Sequence, residues 1–550
     1  MPESVARNWC LRRTQQELRD RYCRAGYWNH DTLGSLLDAA IRAHPDVSMR
    51  IWSDHRPCES TIGAVYEQAR RLARGLQMRG IVPGDVLAFQ LPNWAEAATA
   101  LLAASVLGTV LVPIVYYYGP KETGFVLRES RARALITTDR FRRIDFSAQL
   151  AALRPTLPDL ELVVVAASGE HLTRDLTSFE HMTSCDPLPE VIRVDPDAPA
   201  VIAYTSGTTA DPKGVVHSHR SLLAEIRQLA AIQPSIRRPM LIGAPVAHAI
   251  GMLGGLLLPI YRGQPMHLTD AWNATAVLDA MLRADLNAGS GATSFLLSLL
   301  DSPHFTPAHA AKMDFLGLGG APVPGAVAER AERLGIKLAR IYGSTEHPST
   351  TGSSADTPRA KRNYTDGRAL PGVELRLVDE QGHEVERGTP GEIWSRGPDL
   401  FAGYTDPTLT GDAFSDDGWY RSGDIGVLDE DGYLTITDRK KDIIIRGGAN
   451  ISAAEIEELL LFLPGISEVA VVAAPDPRLG ERACAFLRMQ PGVSPPDLAT
   501  VQRHLEGAGL ARPKWPEDLR IIDDFPRTAS GKIKKHALRA TLRVEKGNPQ

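Results

Sequence analysis

The chain has 550 residues, 43% hydrophobic and 23% charged, which is globular composition and excludes a fibre or a disordered linker. At about 150 residues per domain, that length allows three or four units. With 61 Lys+Arg against 66 Asp+Glu the net charge is −5, too balanced to act as a polyanion-binding field, so nucleic acid is not expected as a partner.

From the N-terminus, Arg7, Arg12, Arg13, Arg19 and Arg21 come with no apolar stretch before them, so no secretory signal is expected. Cys10, Cys23, Cys58, Cys185 and Cys484 lie far apart without a CxxC pair, which fits neither a disulfide framework nor a zinc ribbon and points to a reducing, cytoplasmic setting. Ile62, Val65, Tyr66, Ala69, Leu72, Ala73 and Leu76 keep helical spacing after Thr61, and Gly80 and Pro83-Gly84-Asp85 separate that helix from a strand at 86–91. The uncharged run Ala97–Tyr118 has the length of a membrane span, but Gly108, Pro113 and its β-branched residues predict a helix followed by a buried strand.

Strands are expected at 201–205, 240–243, 315–319 and 338–341, and helices at 221–233, 293–300 and 326–334. This alternation predicts a covered, largely parallel sheet of βαβ type, an α/β class. Past residue 350 the texture changes to a Ser/Thr/Gly-rich loop and hairpin turns at Glu380-Gln381-Gly382 and Asp429-Glu430-Asp431-Gly432, predicting a β-rich subdomain over about 358–437. Asp429–Gly432 lacks the later spaced ligands of a calcium loop and reads as a solvated hairpin. Ser452 with Glu455 has capping-box spacing before Ile456, Leu459, Leu460 and Leu463, and short strands are expected at 469–473 and 484–487. A boundary near Lys441 divides a large domain, 1–440, from a small α+β domain, 441–550.

The chemistry concentrates in loops. Thr205-Ser-Gly-Thr-Thr-Ala-Asp-Pro-Lys-Gly214 follows a strand with four hydroxyls, two glycines and a lysine, a composition that can wrap a polyphosphate. It is not a Walker loop, and a plain Ser/Thr surface loop is the alternative. In Tyr342-Gly-Ser-Thr-Glu346 a hydroxyl beside a carboxylate can bind a phosphate oxygen and hold Mg²⁺. Gly317-Leu-Gly-Gly-Ala-Pro322 departs from GxGxxG and reads equally as a tight buried turn. Asp424, in a turn, could accept from both hydroxyls of a ribose or be structural. His217 and His219 have no third partner for a metal and read as surface residues.

Thr205–Gly214, Tyr342–Glu346, Tyr420-Arg-Ser-Gly-Asp424, Asp438-Arg-Lys-Lys-Asp442, Gly447-Gly-Ala-Asn450 and Pro526-Arg-Thr-Ala-Ser-Gly-Lys532 stand in the order of the adenylate-forming superfamily, and the chain resembles that superfamily over about residues 60–535. The resemblance implies that Thr205, Ser206, Gly207, Thr208, Thr209 and Lys213 hold ATP phosphates, with Tyr342, Gly343 and Ser344 beside them. It implies Thr345 at the α-phosphate, Glu346 on Mg²⁺, and Gly319, Gly320, Ala321 and Pro322 as a wall along adenine. Asp424 would take the ribose, Arg439 would approach the nucleotide, Lys441 would be the hinge, and Gly447-Gly448 would leave room for the pantetheine arm of coenzyme A. Lys532 would carry adenylation and His248 would wall the carboxylate pocket.

Ala244, Val246 and Ala247 stand where amino-acid-activating relatives place an aspartate, which implies an acid without an amino group. Gly251, Gly254, Gly255 and the 293–300 helix either border its alkyl or alicyclic part or belong to the core. The expected activity is an AMP-forming acyl-CoA synthetase using ATP, Mg²⁺ and coenzyme A on a fatty, medium- to long-chain, or alicyclic acid. Peripheral membrane contact is compatible with such acids. The alternatives are an acyl-AMP ligase that loads a carrier protein and a nucleotide-binding regulator without catalysis.

Overall fold

A computed structural model describes residues 9, 11–166, 176–205, 212–233, 238–527 and 533–545. The large domain is laid out on two α/β sheets. An eight-stranded sheet runs in the order 403–404, 214–218, 199–204, 110–113, 86–90, 134–138, 162–166 and 177–178. Its strands are parallel from Pro199–Tyr204 to Thr177–Ser178 and antiparallel at the other edge. A five-stranded sheet orders 287–288, 240–242, 266–269, 48–52 and 58–61, with only the last strand antiparallel.

The local sequence accounts for the framework. Thr61 accepts from the Ala64 N–H to cap the helix Ile62–Met78, and each of the seven predicted apolar positions is buried there. The uncharged run resolves into Ala95–Leu107, buried on every side and ended by left-handed Gly108, and the strand Val110–Pro113. Among the described residues, no helix is long and apolar enough to cross a membrane. The described cysteines, Cys23, Cys58, Cys185 and Cys484, are free thiols.

Phe315–Gly319 and Lys337–Tyr342 form a parallel pair, extended by antiparallel Thr351–Gly352 and Arg368–Ala369. The predicted Ser/Thr loop past 350 starts inside the protein, with Thr350, Thr351 and Ser353 buried, and comes to the surface by Asp356. An antiparallel sheet of 374–378, 391–396, 420–428 and 434–439 supplies the β-rich part. In its hairpin, Lys361 donates to Asp429 (2.6 Å) and pairs with Asp431 (2.8 Å), so a lysine sits where a cation-loop reading would place calcium.

The small domain departs from the predicted strand lengths. Ile466–Asp476 and Gly480–Met489 form one long hairpin rather than two short strands. Their outer positions carry charge, as in the cross-strand pair Glu468–Arg488 (2.6 Å), so an apolar template ends too early. Only half of the predicted capping box forms. Ser452 accepts from the Glu455 N–H, but the Glu455 carboxylate pairs with Lys514. Ser452 instead donates to the Thr437 carbonyl (2.9 Å), and the Ala453 N–H donates to Asp438 (2.8 Å), tying this helix to the last strand of the β-rich sheet.

Candidate active site

A cavity of about 410 Å³ opens where the ends of the strands at 240–242, 315–319 and 337–342 meet. Loops at the C-terminal ends of parallel strands are the usual place for a ligand in such sheets. At this mouth lie Gly319, Gly320, Gly343, Ser344, Thr345 and His248.

The glycines are required by space. A Cβ on Gly343 would stand 1.9 Å from the Pro348 carbonyl oxygen, one on Gly319 would stand 2.8 Å from that of Ile341, and Gly320 has φ +75°. Ala321 and Pro322 lie beyond the cavity wall, and the Pro322 carbonyl accepts from the Thr293 hydroxyl. The turn bearing Thr345 and Glu346 is closed by Ser344 N–H to the His347 carbonyl (2.9 Å) and His347 N–H to the Ser344 hydroxyl (3.2 Å).

Both histidines expected at the surface are buried, at 3% and 2% exposure for His217 and His219. His217 Nε2 donates to the Thr345 carbonyl (2.8 Å), since a carbonyl can only accept, and Nδ1 lies 3.3 Å from the Ser221 hydroxyl. Burial pulls its imidazole below the usual value, which favours the neutral ring, and the bond to the Thr345 carbonyl places the proton on Nε2. His219 Nδ1 accepts from the Leu33 N–H.

A second group behind the turn escapes sequence reasoning. His347 faces Asp399 (3.1 Å), which accepts from Gln228 (3.1 Å), while Ser349 donates to Glu225 (2.5 Å). Burial, followed by the neighbouring Asp399, pushes the Glu225 carboxyl well above the usual range. A raised Glu225 lessens the cost of placing two acids in one enclosed site. The outlying signal is a Glu in an otherwise buried helix, His219–Ile232.

The Asp424 carboxylate is 6% exposed and divided between two partners: Tyr342 donates to Oδ2 (2.9 Å) and Arg439 Nε lies 3.0 Å from Oδ1. Arg439 is held charged chiefly by Asp424. Burial, then Asp424, pushes the Tyr342 hydroxyl well up, keeping it a donor. Glu346 accepts from the Tyr404 hydroxyl at Oε1 (2.7 Å), and among the described residues no donor is bonded to Oε2. One carboxylate plus substrate phosphates is a donor set that suits Mg²⁺.

Of the phosphate loop, Thr205 and Lys213 face one another through Thr205 N–H to the Lys213 carbonyl and Lys213 N–H to the Thr205 hydroxyl. The Lys213 ammonium lies 5.3 Å from the Tyr404 ring centre. Ser206, Gly207, Thr208, Thr209 and Lys532 lie outside the described residues. Gly447 and Gly448, at φ +58° and +87°, form the exposed turn between strands 444–446 and 449–451, and Lys441 stands three residues before that hairpin begins at Ile444. None of these three lines the cavity.

On the acid side, His248 caps the helix Ala249–Met252 through Nδ1 (3.4 Å from the Ile250 N–H) and lines the cavity. Gly254 and Gly255 line it within one π turn, Leu253–Leu257, an irregularity frequent at functional sites. Gly251 does not; its missing side chain makes room for the Pro245 carbonyl, 2.1 Å from a built Cβ. The helix Thr293–Leu300 belongs to the core, with Leu296, Leu299 and Leu300 packed in a separate cluster on the far face of the five-stranded sheet.

The AMP-binding enzyme family matches residues 37–405, and its C-terminal domain matches residues 455–532. A medium-chain fatty-acid–CoA ligase of Escherichia coli is 34% identical over 96% of this chain and 93% of its own length. An indoleacetate–CoA ligase of Aromatoleum aromaticum is 32% identical over 85% of this chain and 90% of its own. ATP-bound MatB from Rhodopseudomonas palustris superposes with a TM-score of 0.82 at 28% identity, covering 93% of this chain and 99% of that one. Fold, motif order and relatives agree, and the chain belongs to the AMP-binding, adenylate-forming enzyme family, in its acyl-CoA ligase branch.

Proposed function

We propose that this enzyme activates an apolar, non-amino carboxylic acid, fatty of medium to long chain or alicyclic, to acyl-AMP and passes the acyl group to coenzyme A. The observation that carries the reading is the cavity wall: it runs from the Thr345 turn into Met240, Ile242, Leu253, Leu258 and Met266, and contains no Asp, Glu, Lys or Arg among the described residues. Such a wall favours an alkyl or ring carbon skeleton and leaves a substrate ammonium without a counter-charge.

In the first half-reaction a carboxylate oxygen attacks the α-phosphorus and pyrophosphate leaves; in the second the thiol sulfur attacks the acyl carbonyl and AMP leaves. The reacting anions repel, so positioning and charge compensation supply the catalysis, with orientation worth about 7–11 kcal/mol. His217 orients the Thr345 carbonyl, Tyr342 and Arg439 orient Asp424 toward a ribose, and His248 stands at the carboxylate end. Glu346 would hold Mg²⁺, whose charge offsets that of the phosphates. The motif likeness gives Lys532 the cation between carboxylate and α-phosphate. It also places the hinge of a 441–550 lid at Lys441 and the thiol path beside Gly447-Gly448.

The test follows both products. With a panel of alkanoic, aromatic and alicyclic acids, the enzyme should yield AMP and acyl-CoA, and Lys532→Ala should abolish acyl-AMP formation while sparing thioester formation from supplied acyl-AMP. Equal loss of both steps refutes the Lys532 role. Acyl-AMP as the only product, with coenzyme A present, refutes the second half-reaction.

A further inference from the structure

Two loops that carry opposite charge are tied to one short strand. Gly403–Tyr404 is the edge strand of the eight-stranded sheet and runs antiparallel to Gly214–Ser218, with Tyr404 opposite Val215, two residues past Lys213. The Thr405 N–H donates to the Gly214 carbonyl (2.8 Å) and the Ala402 N–H to that of Val216 (2.8 Å), which fixes the strand leaving the phosphate loop. The same segment also holds the Thr345 turn, through the Phe401 N–H on the Glu346 carbonyl (2.9 Å).

Tyr404 repeats this bridge with its side chain. Its hydroxyl donates to Glu346 Oε1 (2.7 Å), and the Lys213 ammonium, 5.3 Å from its ring centre, is within cation–π range. The residue is 4% exposed, among Val215, Leu400, Phe401 and Tyr420. That packing asks only for a ring: Phe401 meets it edge-on with centroids 4.9 Å apart, and a phenylalanine would make the same contact. A buried hydroxyl is costly without an acceptor, so its presence is accounted for by Glu346. Among the described residues, Glu346 Oε2 is bonded to no donor and is not enclosed.

Resting on the acid–CoA ligase reading above, we propose that Tyr404 is a positioning residue for the metal–nucleotide site: its hydroxyl sets the Glu346 carboxylate so that Oε2 is left for the divalent cation, and its ring seats the Lys213 ammonium for the phosphates. A carboxylate fixed through one oxygen has the direction of the other set before the ligand arrives, which lessens the entropy lost on binding. A lysine resting on a ring gives up rotamer freedom in advance in the same way.

The experiment reads ATP affinity by calorimetry, in EDTA and in excess Mg²⁺, together with AMP release. It uses the wild type, Tyr404→Phe, Tyr404→Leu, Glu346→Gln and the double variant of Tyr404→Phe with Glu346→Gln. Mg²⁺ should tighten ATP binding by the wild type. Tyr404→Phe, which keeps the ring, should lose most of that gain, up to about tenfold in affinity, while affinity in EDTA and KM for the acid stay within about twofold. A general loosening of the fold would not spare those two. Tyr404→Leu should weaken binding in EDTA as well, by about two- to fivefold, because Lys213 loses its ring. In the double variant, Tyr404→Phe should add nothing to the loss from Glu346→Gln. A Tyr404→Phe enzyme that keeps the full Mg²⁺ gain, or that loses as much with Glu346→Gln as without it, overturns the inference and leaves the ligase reading standing. A wild type without any Mg²⁺ gain overturns Glu346 as the metal carboxylate, and this inference with it. AMP from no acid, with the binding pattern as expected, overturns the ligase reading and leaves Tyr404 as the support of a metal–nucleotide site.

Discussion

Gly254 offers a direct measure of how the cavity selects acids. It lines the cavity within the π turn, a Cβ built there meets no atom within 4 Å, and its φ is not in the left-handed region. Gly254→Leu adds four carbons on the cavity side, the first of which meets no protein atom, and replacing a helical glycine favours folding by up to about 1 kcal/mol. If those carbons exclude up to four acyl methylenes at about 0.8 kcal/mol each, binding of a long acid loses about 3 kcal/mol, or ~200-fold in kcat/KM. Acetate and butyrate, which on the proposed reading would stay near His248, should keep their rates. Pyrophosphate release across straight-chain acids measures this, with Gly255→Leu as the contrast. A Cβ there stands 2.9 Å from the Leu268 side chain, so Gly255→Leu should lower the melting temperature. Equal change for short and long acids with Gly254→Leu would refute this placement of the acyl chain.

Three further outcomes follow from the polar groups. Asp424→Asn removes the charge that holds Tyr342 and Arg439 and should raise KM for ATP by about 10- to 100-fold with little change in KM for the acid; steady-state kinetics with each substrate varied separates the two. Asp399→Ala removes the carboxylate that faces His347 and accepts from Gln228, which keeps the Pro371 carbonyl as an acceptor, and should cost about 1–3 kcal/mol in urea unfolding, a loss under about 0.5 kcal/mol contradicting this reading. Burial, the largest cause, lowers His219 from 6.5 to about 4, so the unfolded chain binds the extra proton below pH 6.5 and stability falls as pH drops from there toward 4. At pH 5 this amounts to about 2 kcal/mol, and His219→Gln should remove that much of the acid sensitivity in denaturant titrations at pH 7.5 and 5.

What the sequence shows and what it conceals divide along the range of the interactions. The helix at 62–78 is legible because its apolar spacing is local, and the 97–118 run because Gly108 and Pro113 punctuate it. The phosphate and carboxylate motifs are legible because anion binding restricts residue choice over a few positions. The alternation His217-Ser218-His219 carries no such mark. Its partners, the Thr345 carbonyl and the Leu33 N–H, lie 128 and 186 residues away, and only the fold brings them together. The same holds for Glu225 and Asp399, 174 positions apart in the numbering, and for Thr293–Leu300, whose apolar face suits a cavity wall and a core equally until the sheet decides its side.

That division also separates reaction from selectivity. The groups proposed for adenylation, Thr345, Glu346, Asp424 and Arg439, belong to the short motifs, and those described lie past the C-terminal strand ends or in the β-rich sheet. The group proposed to choose the acid, Gly254 in the π turn, belongs to none of these motifs and lines the cavity along the same sheet. A substitution at 254 can thus change the acid while the nucleotide contacts stay fixed, because the two sets share only the cavity mouth. Relatives that resemble this chain across nearly its whole length are named for acids as unlike as medium-chain fatty acids and indoleacetate, and a common mouth with a variable far wall is a physical arrangement that permits such a range.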